Sequence, residues 1–454
     1  MLAWNPEVLS RAAQGLSRLG VSISDGNAVA DAPTTAIPAV GADEVSAAVA
    51  SVLNEHGQTY QSLAARAEAF HSRFVATLAS SVSYYQTTEA DNANSLRGGI
   101  TVAEQPYSTT VKTSSVTPIP STADPITLVV SGTGYTTVSS ATLNKIGRVY
   151  FPGTPSPYAL YTPEEFWPFT PRLGSLTLDQ SAAVGTQNLN SAILTQVGLG
   201  HTVNVWGTSQ GSLVTTDEIR WLMADGSPGT GQVKFILTGD PGNPDGGVFA
   251  RFTGPTIPGL GVRFNGATPP DSPYQTAIYT NQYDGVADFP RYPLNVVADA
   301  NAIAGFDLGR HDYVDYSLET HAAQPLPTSP GYTGKTTYYI ILNQNLPLLN
   351  RYDLPQPYGA AIADLIQPDL RVLIDMGYGS GEYANIPTRA SLLEFPNWPV
   401  IGADLLRGVV QGSEGALVDL HLLPGSYYPM GRYPFSPVLD PGLNYPLPQT
   451  GLFG

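Results

Sequence analysis

The sequence predicts an α/β architecture, a mostly parallel sheet with flanking helices, preceded by an antiparallel two-helix hairpin. Three observations predict it. Residues 1–96 carry an apolar stripe at helical spacing, residues 97–124 carry no period at all, and residues 125–377 alternate short β-branched runs with helical windows. Strands that read as near-continuous apolar runs between helices belong to a sheet covered on both faces.

In the hairpin, a first helix opens near Pro6 with Leu9, Ala12, Leu16 and Leu19 on one face, and Asp31, Pro33 and Pro38 are expected to break it. From Asp43 the stripe runs Val45, Val49, Val52, His56, Tyr60, Leu63, Ala67, Phe70, Phe74, Leu78. Every step is three or four residues, which keeps the stripe on one side of a long helix. A thin hairpin buries little alone, so the stripe calls for a partner helix pair; packing on the rest of the chain is the plainer alternative. His56 is expected to pack within the stripe, because no second His or carboxylate stands at metal-binding spacing. From Arg97 to Asp124 the sequence turns to Gly, Thr, Ser and Pro, a flexible linker.

Strands are expected at Ile126–Gly132, Arg148–Gly153, Thr202–Gly207, Val233–Gly239, Ala277–Tyr283 and Thr336–Asn343. One helical window opens at Thr162-Pro163-Glu164-Glu165, where Thr162 suits a cap, Pro163 the first turn and Glu165 a capping box. A second, from Leu178, carries Val184, Leu189, Ile193 and Val197, and a third follows Ser209. Residues 378–454 are rich in Tyr, Pro, Gly and Leu with little period, a C-terminal extension that suits a lid or substrate wall.

Composition narrows the function. With 21 Lys and Arg against 37 Asp and Glu, the net charge of −16 leaves no basic footprint for a nucleic acid or an anionic membrane surface. The absence of cysteine removes disulfides, thiolate metal sites and a cysteine nucleophile. No cofactor or metal is expected, since the six histidines are scattered. An ordinary cleavable signal peptide and a transmembrane span are not expected either.

The chemistry centres on Gly207-Thr208-Ser209-Gln210-Gly211. This G-x-S-x-G follows the run Thr202-Val203-Asn204-Val205-Trp206 and precedes a window with Leu213, Val214, Ile219, Leu222 and Met223 on one side. Strand, motif and helix in that order make a nucleophile elbow of the α/β-hydrolase type. The glycines remove side chains that would strike the neighbouring strand and helix, and the helix N-terminus aims free amides at the reaction centre.

A serine needs a base, and in this fold an acid and then a histidine follow it along the chain. Asp284 stands at the tip of the run Ala277–Tyr283 and is the first choice for the acid, with Asp288 second. His311, in the polar segment Gly309-Arg310-His311-Asp312-Tyr313, is the first choice for the base; His321 and His421 are the alternatives. An oxyanion hole needs two backbone N–H donors. Gln210 would give one, and Thr133, in Ser131-Gly132-Thr133-Gly134, the other; Gly153-Thr154 is the fallback.

The first 96 residues resemble the PE domain of mycobacteria, through Pro6-Glu7, the stretches GADEVSAAVA and YQSLAARAEAFH, and Tyr85-Gln86-Thr87-Thr88-Glu89, which matches the Y-x-x-x-[DE] signal of type VII secretion substrates. Residues 125–377 resemble the PE-PPE hydrolase domain through TPEEFWP, GTSQGS, GDPGNPDGG, YDGVADFPRYPLN and TTYYII. The resemblance implies a cutinase-related serine esterase with Ser-Asp-His chemistry, in which Ser209 and Asp284 fall on matching motifs, while HDYVDY around His311 follows the family's histidine segment only loosely. It further implies type VII export to the cell envelope or surface, with Tyr85 and Glu89 in the signal, and a PPE-family helical partner on the hairpin. Besides hydrolysis of acyl esters, two readings stay open: acyl transfer to an envelope sugar or lipid hydroxyl, and an inert surface-binding protein.

Overall fold

The computed structural model describes residues 6–75, with scattered positions between 45 and 74 excepted, residues 124–315, and residues 323–425, with 344, 350–353, 355–357, 380–382 and 393–396 excepted. His56, Tyr85, Glu89, His321, the linker up to residue 123 and residues 426–454 lie outside the described residues. The chain divides into two compact units, Met1–Val111 with Ile257–Gly259, and Lys112–Thr256 with Leu260–Gly454.

In the first unit, helix α1 (Pro6–Thr35) pairs with a second helix whose described positions run from 44 to 75. Tyr60 donates to Asn27 Oδ1 at 2.8 Å, Gln61 to the Asn27 carbonyl at 2.9 Å, and the His71 ring bonds the Leu16 carbonyl at 2.8 Å. Partner numbers rise on one helix as they fall on the other, so the pair is antiparallel. α1 runs through Pro33, where a break was expected. In the last turn a proline removes a single N–H bond, and the Thr34 and Thr35 hydroxyls bond the carbonyls of Ala30 and Asp31 at 2.6 and 2.8 Å. Leu19, Val21, Ile23, Val29, Val49, Leu53 and Tyr60 remain exposed on this pair.

Among the described residues, the main sheet of the second unit has seven strands: β1 (Ile126–Val130), β2 (Tyr158–Ala159), β3 (Val203–Thr208), β4 (Val233–Thr238), β5 (Gln275–Asn281), β6 (Ala323–Pro325) and β7 (Thr336–Ile341). Their spatial order is β2-β1-β3-β4-β5-β7-β6. All pairings are parallel except β6 on β7. In register, Val130 stands beside Gly207, Gly207 beside Leu237, and Leu237 beside Ile278. The carboxyl ends of β1, β3, β4 and β5 therefore reach one edge, where open α/β sheets hold their ligands.

Helix α2 (Ser140–Tyr150) buries Ile146 and Tyr150 in a cluster with Val129, Trp206 and Tyr313. Fully burying a side chain such as Ile146 contributes about 1.5–3 kcal/mol. Helices α3 (Leu178–Gly198) and α4 (Gln210–Ala224) pack closely, with Gly185 against Val214. Helix α5 (Val296–Asp307) follows β5, and α6 (Gly359–Asp375) packs along α7 (Trp398–Asp419).

Three sequence expectations are corrected. Arg148–Gly153 is the end of α2 and its turn, not a strand: Ser139 caps the helix by accepting the Thr142 N–H at 3.1 Å, and Tyr150 of the apolar run lies on the buried face with Ile146 and Gly147. The Thr162 window forms no helix, because Glu164 takes a φ of 50° and the Thr162 hydroxyl bonds the Glu164 carboxyl. The region after 377 contains α7, whose buried stripe of Ile401, Asp404, Gly408, Gly412, Gly415 and Ala416 is half glycine; a Cβ at Gly412 would lie 2.3 Å from the Leu365 carbonyl oxygen.

Candidate active site

Ser209 sits between the last residue of β3 and the first of α4 with a φ of 55°. For a residue with a Cβ this conformation costs about 1–3 kcal/mol and persists only where its surroundings enforce it. The two motif glycines supply part of that enforcement. A Cβ on Gly207 would lie 2.5 Å from Thr215 Oγ1, and one on Gly211 would lie 2.3 Å from the Val130 carbonyl oxygen. Ser209 N–H donates to the Thr238 carbonyl at 3.0 Å, and the Ser209 carbonyl accepts from Ser212 at 2.9 Å and Leu213 at 3.2 Å. Thus β4 and the first turn of α4 hold the serine from both sides.

Asp284 lies just past β5 and is wholly buried. Its Oδ1 and Oδ2 stand 2.9 and 2.8 Å from His311 Nδ1. Tyr313 donates its hydroxyl to Oδ2 at 2.7 Å, and Val286 its N–H to Oδ1 at 2.9 Å. Burial, with the Asp284 charge beside it, pushes the Tyr313 phenol well above its usual range, so it stays a donor. A carboxylate accepts only, so Nδ1 carries the proton and Nε2 is left as the basic nitrogen. Among the described residues Nε2 has no hydrogen-bond partner.

The imidazole is seated against the tip of β4. Gly239, which follows that strand with a φ of 58°, would place a Cβ 2.8 Å from His311 Cε1 and 2.9 Å from Tyr313 Cε2. The preceding carbonyl, that of Thr238, is the one that anchors Ser209. Ser209, His311 and Asp284 accordingly meet at one edge of the sheet. No Ser209–His311 hydrogen bond is made among the described residues.

The loop after β1 passes over the serine. A Cβ on Gly132 would lie 3.1 Å from Ser209 Cβ and 3.6 Å from its Oγ. In that loop Thr133 Oγ1 donates to Gln210 Oε1 at 2.7 Å. Gln210 Nε2 in turn donates to Ser181 Oγ at 2.8 Å and to the Glu165 carbonyl at 3.2 Å. The backbone N–H groups of Thr133 and Gln210 meet no carbonyl among the described residues.

The described alternatives have other partners. Asp288 accepts the Tyr283 N–H at 2.7 Å, and burial lifts its carboxyl to about 7. His421 is exposed beyond the end of α7. Gly153-Thr154 caps the turn after α2, with Thr154 N–H on the Phe151 carbonyl at 3.2 Å. Tyr313, Gly239 and the Gln210 side chain were not anticipated. Tyr313 lies two residues after His311 in a run of turns, where no sequence period marks it. Among the described residues no group of three His, Asp or Glu could hold a metal ion, and no helix is long and apolar enough to cross a membrane.

A parallel sheet with a strained serine between strand and helix, and a carboxylate–imidazole pair at the same edge, has the architecture of the α/β-hydrolase class. The family model for the PE-PPE domain matches residues 152–379 and that for the PE family residues 2–92, and the chain belongs to the PE family. It is 42% identical to PE family protein PE3 of Mycobacterium tuberculosis, over 98% of this chain and 94% of that protein. It is 41% identical to Esterase PE16 of the same organism, over 91% of this chain and 76% of that one. SL1278 acyltransferase Chp1, also of Mycobacterium tuberculosis, is 32% identical over 52% of this chain and 57% of its own length.

Proposed function

We propose that the protein is a serine ester hydrolase that cleaves acyl esters through an acyl-enzyme on Ser209. The observation that carries this reading is the paired contact of His311 Nδ1 with the buried Asp284 carboxylate, at 2.8 and 2.9 Å, beside a serine held at an elbow. Ser209 Oγ attacks the ester carbonyl while His311 Nε2 takes its proton. The imidazolium that forms is stabilised by Asp284. The oxyanion is met by the N–H groups of Gln210 and Thr133. His311 then returns the proton to the departing alkoxide, and water, activated by the same nitrogen, releases the acid.

The relative named as an esterase supports this reading. The relative named as an acyltransferase supports a second, in which a sugar or lipid hydroxyl replaces water at the acyl-enzyme. We place the protein at the cell envelope, exported by a type VII system that reads Tyr85 and Glu89. A PPE-family helix pair would cover the apolar residues exposed on the hairpin, such as Val21, Val29 and Val49.

Protein quenched during turnover of p-nitrophenyl butyrate should carry a butyryl adduct on the Ser209 peptide in the mass spectrum. Adding a glycol or sugar acceptor separates the two readings, because a transferase then yields acylated acceptor in place of free acid. An adduct on another residue, or none while ester is consumed, would remove Ser209 from the mechanism.

A further inference from the structure

Glu164 stands where a glutamate is costly. It is fully buried, its φ is 50°, and it lies outside the Ser209–His311–Asp284 group. Its carboxyl makes one hydrogen bond, from Thr162 Oγ1 to Oε1 at 2.5 Å, and Oε2 is buried without a partner among the described residues. Burial raises this carboxyl to about 8, so it stays uncharged at neutral pH. A strained backbone and an uncompensated buried carboxyl together point to a positional role.

The next bonds show what is positioned. The Glu164 carbonyl accepts the Gly134 N–H at 2.9 Å, and Gly134, with a φ of 91°, directly follows Thr133. The Glu165 carbonyl accepts Gln210 Nε2 at 3.2 Å, and Gln210 Oε1 accepts from Thr133 Oγ1 at 2.7 Å. Ser181 Oγ, on α3, accepts from both Glu165 N–H at 3.0 Å and Gln210 Nε2 at 2.8 Å. Two successive carbonyls therefore hold Gly134, the neighbour of Thr133, and the side chain of Gln210. A right-handed backbone at residue 164 would turn one carbonyl away from its partner.

We propose that Glu164 is a positioning residue for the oxyanion hole: seated by Thr162, it fixes the 164–165 turn, and that turn holds Thr133 and Gln210 over Ser209. The assignment rests on the esterase reading of Ser209. Because the seat is uncharged, Glu164→Gln keeps its shape and its hydrogen bond to Thr162, whereas Glu164→Ala empties it.

The test is p-nitrophenyl butyrate hydrolysis by the full chain, with kcat and KM separated and with inhibition by a phenylboronic acid, which binds serine as a tetrahedral anion. Glu164→Ala should lower kcat by roughly 10-fold or more with KM within about 3-fold, and boronate binding should weaken in step, as loss of an oxyanion donor requires. Glu164→Gln should stay within about 3-fold of wild type in every constant. If Glu164→Ala does not fold, Thr162→Val, which removes only the seating hydroxyl, should lower kcat and boronate affinity together. Unchanged kcat in Glu164→Ala or in Thr162→Val overturns the assignment, as does a Glu164→Gln that falls as far as Glu164→Ala. An active wild type with those results leaves the esterase reading intact; a wild type that neither turns over ester nor is acylated on Ser209 sinks both.

Discussion

His311 Nδ1 lies within 2.9 Å of both carboxylate oxygens of Asp284, a side chain with no solvent exposure that sits 27 residues earlier in the chain. The pair joins the loop after β5 to the segment after α5, so one contact both orients the imidazole and ties two connections together. Tyr313 and the Val286 N–H bond the same carboxylate from other sides at 2.7 and 2.9 Å. An acceptor with so many fixed donors leaves the imidazole one orientation.

Replacing Asp284 by Asn keeps the volume but presents an amide that can donate to Nδ1 and so favours the wrong tautomer. The expected fall in kcat is roughly 10⁴-fold. Asp284→Asn should remain folded by circular dichroism; a kcat within about 10-fold of wild type would show that Asp284 does not orient the base.

Gly211 should tolerate no side chain. A Cβ there would lie 2.3 Å from the Val130 carbonyl oxygen and 2.4 Å from that of Ser131, both backbone atoms at the tip of β1. Gly211→Ala is expected to cost about 3 kcal/mol, since neither strand nor helix can yield without displacing Ser209. Urea titration of the two proteins measures it, and an unchanged midpoint would contradict the close approach.

Stability should fall as pH rises from mildly acidic to mildly alkaline. Burial raises Glu164 from 4.5 to about 8, Asp288 and Asp299 from 3.8 to about 7, and Asp240 from 3.8 to about 6. Between the ordinary and the raised values the folded chain holds protons that the unfolded chain has released. The unfolded state then binds fewer protons, so the slope of stability with pH is negative across that window. The urea midpoint should be higher at pH 5 than at pH 8; the reverse order would mean that these carboxyls are solvated in the folded protein.

Much of this arrangement was legible in the residues. β1, β3, β4, β5 and β7 announce themselves because buried parallel strands leave continuous β-branched runs, as in Ile126-Thr127-Leu128-Val129-Val130. Arg148–Gly153 misled because Val149-Tyr150-Phe151, a short apolar run, looks the same at a helix end as in a strand. α7 escaped notice because Gly408, Gly412 and Gly415 occupy the stripe where apolar residues would have marked the period. At the site, Ser209 carries a local signal, and Asp284 and His311 follow from chain order and loop position. Glu164 and the Gln210 side chain do not, since their partners are chosen by the fold: Thr133 meets Gln210 across 77 residues, and Thr162 spends its hydroxyl on a carboxyl instead of a helix cap.

The role of Ser209 is tested by hydrolysis of p-nitrophenyl esters, acetate through long chain, by the full chain and by Ser209→Ala. The wild type should show measurable turnover and the variant a loss of roughly 10³-fold or more in kcat, with the fold intact, because only oxyanion binding and desolvation remain. A folded wild type that hydrolyses none of these esters, or a Ser209→Ala variant that hydrolyses them equally well, would contradict that role.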